Sequence, residues 1–356
     1  MEVLKSKKLT NEVLILTILH LLIDGICATT IFGALYKDNL LLPIIVFVGY
    51  NFLAFMMQPL IGLMIDTYKR EKLLVLVSLL IVILGSLLGS IPYLSLVFLG
   101  LGNALFHTSA GKITIDNSQN KLSLLGIFVS LGVVGLTIGT LYASFAYLLL
   151  ILISLTLLIG IGFYFINQNY QQLLVNDQQE TKETFNLNSK NSLIIVGIIV
   201  IVMFRAIMGK YTVFTWSTSS QLILTTAIFI ALGKAIGGIL ADKIGIKWTI
   251  IISGLGSLVF LIFARDSIWG GLIGILLFNM TMPITLYLLY KMMPGYKTTA
   301  FGLAAMILFP GYVIGIFLQN YASLYNIILI SITALTVILV IIFVREMQKK
   351  AIIDVI

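Results

Sequence analysis

Apolar residues run in twelve blocks, at about 13–35, 41–65, 73–91, 94–115, 122–143, 145–166, 192–216, 221–241, 247–264, 268–290, 298–319 and 323–344. Each is close to the roughly 20 residues that an α-helix needs to cross hydrocarbon. Continuous runs predict helices, because in lipid every backbone group must be paired within its own segment. The alternating ten-residue stretches of barrel strands are absent. One segment breaks the rhythm: residues 167–191 are polar, rich in Gln, Asn, Glu and Lys, and read as a surface linker. It divides the blocks six and six. The predicted architecture is therefore an all-α integral membrane protein, twelve transmembrane helices in two six-helix bundles: residues 1–166, a cytoplasmic linker at 167–191, and residues 192–356. The polar, basic stretch Met1 to Glu12 precedes a first block too long for a signal-peptide core, so that block reads as a retained span.

Composition narrows the class. Of 356 residues, 60% are hydrophobic and 10% charged, with a mean hydropathy of +1.10. A soluble domain carries about 25% charged residues, and a disordered chain has low hydrophobicity, so both are excluded. The net charge of +8 points to topology and not to nucleic acid. With the N-terminus in the cytoplasm, 17 of the 22 Lys and Arg residues fall on inner loops and ends. Lys37, Arg265 and Lys210 fall outside, and Arg205 and Lys234 lie within spans. This asymmetry predicts a multi-pass protein of the cell membrane with both termini cytoplasmic. The single cysteine, Cys27, excludes an intramolecular disulfide.

The halves repeat. Gly62 stands four residues before Asp66 after the second block, and Gly238 stands four before Asp242 after the eighth, an offset of 176. Gly126, Gly135 and Gly139 recur at the same offset as Gly302, Gly311 and Gly315. Five positions matched at one offset in two separate places indicate a parallel structural repeat, the architecture of alternating-access transporters.

The second copy, Gly238-Ile239-Leu240-Ala241-Asp242-Lys243-Ile244-Gly245-Ile246-Lys247, resembles the major facilitator superfamily loop motif G-x-L-A-D-[RK]-x-G-x-[RK]. The first copy keeps Gly62, Asp66 and the basic Lys69 and Arg70, with Lys69 in the place of the second glycine. The resemblance implies a cytoplasmic gate made by Gly62, Asp66, Arg70, Gly238, Asp242, Lys243 and Gly245, whose aspartates pair with basic residues and helix ends and steady an outward-facing state. The plainer alternative is a topology-setting turn with solvated charges. Further pieces resemble the fosmidomycin-resistance-like drug efflux branch: His20-Leu21-Leu22-Ile23-Asp24, Gln58-Pro59-Leu60-Ile61-Gly62, Gly100 to His107, Phe204-Arg205 and Met293-Pro294-Gly295. Ile23, where that branch often has Asn, and Thr108, where Pro follows the His, depart from it.

Charges inside the spans are few, and each is costly at the bilayer centre, about 2.5–3.5 kcal/mol on insertion scales. Asp24 falls mid-span, with His20 one turn before it on the same helix face. His107, the other histidine, lies at similar depth in the fourth span, and the resemblance implies that first and fourth helices share the central cavity. Asp24, His20 and His107 are therefore candidate proton-coupling residues, a histidine titrating near neutrality. A structural His–Asp pair is the bland alternative, and a transition-metal site is a third reading for two His and one Asp. Arg205, deep in the seventh span, is a candidate for binding an anionic group or pairing with Asp24, against a helix-packing role. Asn103, Tyr50 and Asn279 are candidate cavity residues. Lys234 either snorkels to the inner interface or lines the inner vestibule.

The expected function is a secondary active transporter working by alternating access: a proton-coupled antiporter that exports small amphipathic compounds or drugs. An importer or facilitator of a small organic anion is the alternative, followed by a metal-ion transporter or a non-transporting sensor. No H-E-x-x-H, nucleophile–base pair or phosphate-binding G-x-x-x-x-G-K-[ST] is present. An enzyme, a cofactor, a resident metal and ATP as energy source are not expected. The expected partners are a small-molecule substrate, protons and the lipid bilayer, with no nucleic acid, and the protein is expected to be a monomer.

Overall fold

The computed structural model describes residues 2–35, 41–145, 147–171 and 189–349, with the backbone alone for 2–8, 41–43 and 167–171. All twelve apolar blocks become helical spans. In the first half these are Glu2–Thr30 continued by a π turn Ile31–Leu35, then Leu41–Asn51 with Phe52–Met56 and Gln58–Tyr68, Glu71–Leu87, Pro92–Ser118, Leu122–Phe128 with Gly132–Leu141, and Leu148–Gln171. In the second half they are Ser189–Tyr211, Ser220–Ile244, Ile246–Phe263, Ile268–Asn279 with Met282–Met292, Lys297–Met306 with Leu308–Leu318, and Tyr325–Lys349. The third span is the shortest at 17 residues. The last two are joined through a 3-10 turn, Gln319–Leu324. The predicted linker shrinks at both ends, since 167–171 prolong the sixth helix and 189–191 start the seventh. Its remainder, 172–188, lies outside the described residues, as do Lys37 and 350–356.

The surface is inverted relative to a soluble protein. Phe263, Leu193, Trp269 and Leu158 are exposed, while Thr17, Ser78, Ser95, Ser109 and Thr114 are buried. Thr17 and Thr114 return their protons to their own helices, to the Val13 (2.7 Å) and Ala110 (2.8 Å) carbonyls, and Ser95 donates across to the Gly85 carbonyl of the third span (2.7 Å). With lipid as the solvent there is no hydrophobic drive between helices, so close backbone approach supplies the contact. Gly135 and Gly139 face the first span: a Cβ on Gly139 would lie 2.5 Å from the Gly25 carbonyl oxygen, and one on Gly135 would overlap the Leu21 carbonyl.

Five spans are broken or distorted, and this positions the site. The fifth span interrupts its helix at Val129–Leu131, just before Gly132. The eleventh breaks at Ile307, three residues before Pro310, and the tenth at Met280–Thr281, just before Pro283. Proline removes a backbone donor, and it and glycine are the usual sources of such kinks. The second span carries a π segment, Phe52–Met56, next to Gln58-Pro59. The first ends in another, where π turns often mark functional places.

The halves meet mainly at the end that carries the two loop motifs. The second span packs on the eleventh there, and the eighth on the fifth. Close approach again rests on glycine. A Cβ on Gly62 would sit 2.7 Å from the Thr298 carbonyl oxygen, and one on Gly302 2.6 Å from that of Gln58. The symmetry-related Gly238 and Gly126 abut Leu122 and Lys234 in the same way.

Candidate functional site

At the loop-motif end, the two aspartates cap helices of the opposite half. Asp242 accepts from the backbone N–H groups of Leu122 (2.8 Å) and Ser123 (2.9 Å), the start of the fifth span. Asp66 accepts from Thr298 (3.0 Å) and Thr299 (2.8 Å), the start of the eleventh, and also from the Thr299 hydroxyl (2.8 Å). Partners and donors are offset by the same 176 residues, so the repeat read in the sequence is a two-fold arrangement of interdomain caps. A helix N-terminus has free N–H groups and a partial positive charge, which suits a carboxylate. Arg70 and Lys243, the cations named for the gate, are exposed. A third bridge joins the halves beside them, where Lys297 reaches Asp116 (3.2 Å), itself paired with Lys112. Gly245 takes φ 86°, and Lys69 in the matching place takes a left-handed φ of 50°. The two turns share a positive φ but not a shape: Lys69 is left-handed at ψ 46°, whereas Gly245 has ψ 158°.

Deeper, His20, Asp24, Asn103 and His107 form one cluster. His20 Nε2 lies 3.3 Å from Asp24 Oδ2, and His107 Nε2 lies 3.6 Å from Asp24 Oδ1. Asn103 donates from Nδ2 to Asp24 Oδ1 (2.9 Å). The two imidazoles meet edge to face, with Nε2 atoms 2.8 Å apart. Their other nitrogens face carbonyls: His20 Nδ1 that of Phe128 (2.9 Å), His107 Nδ1 that of Asn103 (2.9 Å). A carbonyl only accepts, so both Nδ1 atoms carry hydrogen. The remaining Nε2 atoms are then two lone pairs facing each other. The 2.8 Å separation is that of a hydrogen bond in which one Nε2 donates to the other, with the Asp24 carboxylate beside both rings. Cys27 is buried beside the cluster and receives a weak contact from Asn103 (3.8 Å), and Tyr50 reaches Cys27 from the second span.

Sequence reasoning placed these residues on helices but missed what holds them. Gly132 is the floor: a Cβ there would be 2.6 Å from Asp24 Oδ2 and would overlap His20. Lys234 neither snorkels nor hangs free in a vestibule. It crosses to the first half and donates to the Val129 carbonyl (3.1 Å), freed by the break in the fifth span. The only signal for it was polarity at the pair Gln58 and Lys234. Asn279 donates to the Ile275 carbonyl of its own helix (2.8 Å). Arg205 does not pair with Asp24. It lines a cavity enclosed by the seventh, ninth, tenth and twelfth spans, and its guanidinium approaches the Thr285 hydroxyl at 3.4 Å.

No family model and no curated protein sequence matches the chain. Solved structures do. A variant of the E. coli fucose:proton symporter FucP matches with a TM-score of 0.66 at 12% identity, over 94% of this chain and 98% of that one. A bacterial homologue of the iron transporter ferroportin, in an outward-facing state, matches with a TM-score of 0.64 at 13% identity, over 95% and 98%. The fold is that of the major facilitator transporters. The superposition spans both halves of the chain. At this level of identity the likeness carries the fold and not a substrate.

Proposed function

We propose that the protein is a secondary active transporter of the major facilitator type, and that it exchanges protons for a small amphipathic compound that it exports. The observation that carries this is the pair of Nε2 atoms 2.8 Å apart beside Asp24, with both Nδ1 atoms already committed to carbonyls. This is a proton-holding site in a span, supported on both sides. The neighbours' fold supports alternating access, and the short motif likenesses support the drug-efflux branch. With the loop-motif end taken as cytoplasmic, the paired caps close that side, the state in which the cluster faces outward. Domain boundaries near 166 and 192 then separate the two moving bundles. Tyr50, Asn103 and Asn279 serve in this reading as the substrate-binding residues.

The proton site is wired to the gate. The seven-residue helix Leu122–Phe128 is capped at its start by Asp242 and gripped at its end by His20, through Phe128, and by Lys234, through Val129. Losing the shared proton removes the reason for the His20 ring to stay against His107, and that loosens the Phe128 contact. A second reading has one specific observation behind it. The donor atoms of His20, Asp24 and His107 lie within 4.8 Å of one another, a spread that also suits a divalent transition metal as cargo.

The test is proton flux in proteoliposomes under an imposed pH gradient, with a panel of amphipathic compounds and with zinc, in wild type and Asp24→Asn. Compound-evoked proton movement that Asp24→Asn lacks is the expected result. Uptake of a labelled compound without proton movement, or unchanged coupling in the variant, overturns proton exchange. Uptake of zinc itself supports the second reading instead.

A further inference from the structure

We propose that the second half contains a small-anion site at Arg205, distinct from the proton cluster and independent of the transport reading above. Arg205 sits within the seventh span, six residues before its last residue, Tyr211. An arginine does not readily lose its proton, so its positive charge is present at every stage of the cycle. Within the described residues, no carboxylate lies within 4 Å of it; its one hydrogen bond is the 3.4 Å contact to Thr285. A guanidinium has five N–H donors. The described acidic residues of this half are all committed elsewhere: Asp242 caps the fifth span, Asp266 pairs with Arg265 (3.7 Å) and Glu346 with Lys349 (2.7 Å). Among the described residues of this half, none supplies a counter-charge to a cation held inside the bilayer, where charge is expensive.

The cavity beside Arg205 is built for a small anion. Its volume is about 20 Å³, and it is partly open. Its polar wall consists of hydroxyls, and most have spent their protons. Ser253 donates to the Leu277 carbonyl (2.7 Å), Ser257 to that of Gly254 (2.9 Å) and Thr281 to that of Phe278 (3.2 Å). Thr336 also lines the cavity, and Thr333 is the buried hydroxyl there: it is 5% exposed and its Oγ1 has no partner. One cation and a buried, unspent O–H lining a common small void describe a receptor for a single monovalent anion of halide size. The walls come only from the second half, so the site does not change hands when the two halves rock. The anion stays in place as a charge-balancing ligand, in contrast to a substrate group that must leave.

The shared chemistry, a monovalent anion on a guanidinium and a hydroxyl, fits an inorganic halide or the carboxylate of a substrate, and the experiment separates them. Thermal unfolding of the purified protein is followed in chloride, bromide and gluconate at fixed ionic strength, with benzoate as the organic probe. Bromide occupancy is read directly by anomalous scattering. Saturable stabilisation of wild type by chloride and bromide over gluconate is expected, with bromide density beside Arg205. Thr333→Val, which keeps shape and charge, should weaken the apparent affinity about tenfold, the cost of one hydrogen bond to a charged group. Arg205→Gln should abolish the effect. No halide dependence in wild type, an equal dependence in both variants, or stabilisation by benzoate alone overturns the proposal. If Arg205→Gln does not fold, the Thr333→Val titration and the bromide density decide it.

Discussion

Replacing Asp242 with Asn tests the cap arrangement at the loop-motif end with a change of two atoms' character and no change of shape. Asp242 holds two N–H groups, those of Leu122 and Ser123. An asparagine keeps one acceptor oxygen and turns an amide donor towards the other N–H. One hydrogen bond to a charged acceptor is lost, worth about 1.5–3 kcal/mol. The favourable interaction of the carboxylate with the helix terminus goes too, about 0.3–1 kcal/mol for an exposed site. The group is partly buried, so water recovers part of the loss when the face opens. A net shift of about 2 kcal/mol towards the open state corresponds to roughly 30-fold in its population, at 1.4 kcal/mol per tenfold. Spin labels on the two halves at this end, with pulsed-dipolar distances measured in nanodiscs, read the population directly. Asp66→Asn should act in the same direction, and more strongly, because Asp66 has a third donor in the Thr299 hydroxyl. Distances unchanged in both variants, or a shift towards a still more closed face, would refute the reasoning.

Two further expectations follow from the backbone. Gly132→Ala places a methyl group against Asp24 and His20. It should abolish proton coupling and lower the unfolding temperature by the equivalent of about 1–3 kcal/mol, while Gly162→Ala, with open space around it, leaves coupled flux and unfolding unchanged. Lys69→Gly relieves a left-handed residue and should stabilise the protein by about 1 kcal/mol after the greater unfolded-state freedom of glycine is allowed for. Gly245→Ala, at φ 86°, should do the reverse, and scanning calorimetry at a fixed scan rate reads both.

The fold was legible in the sequence because a bilayer imposes one rule everywhere: apolar run, helix, turn. The internal repeat was legible because the caps and glycine contacts are obligatory at both copies, and Asp66 and Asp242 cannot move in register without losing their helix ends. Asp24, His20 and His107 were also legible, since charge inside a span has to be answered for. The partners were not. His20 is set by the carbonyl of Phe128, Lys234 by that of Val129, and Asp242 by the amides of Leu122 and Ser123. These are backbone atoms, and no side-chain pattern announces them. The break in the fifth span that frees two of them has no proline, unlike its counterpart in the eleventh. For Arg205 the sequence leaves three roles open, an anionic group, Asp24 or helix packing. Depth is set by the sequence, but the side of the helix that a residue faces is set by packing, and Arg205 faces inward into its own bundle.

The Lys234 contact separates stability from mechanism. Its side chain is partly withdrawn from water, and the attraction of a single carbonyl returns only part of that cost. Lys234→Met keeps the chain length, removes the charge and leaves the Val129 carbonyl to the break in the fifth span. If the lysine served packing, the variant would unfold at a lower temperature and couple protons as before. If it serves to hold the short helix Leu122–Phe128 to the eighth span, as its position opposite the Asp242 cap indicates, stability should be unchanged or raised. The ratio of protons to substrate should then fall, because the end of that helix is released from one half while His20 still holds it from the other. Measuring unfolding temperature and coupling ratio on the same preparation gives the two readouts independently. A variant less stable and fully coupled would assign Lys234 to packing and remove it from the path between proton site and gate.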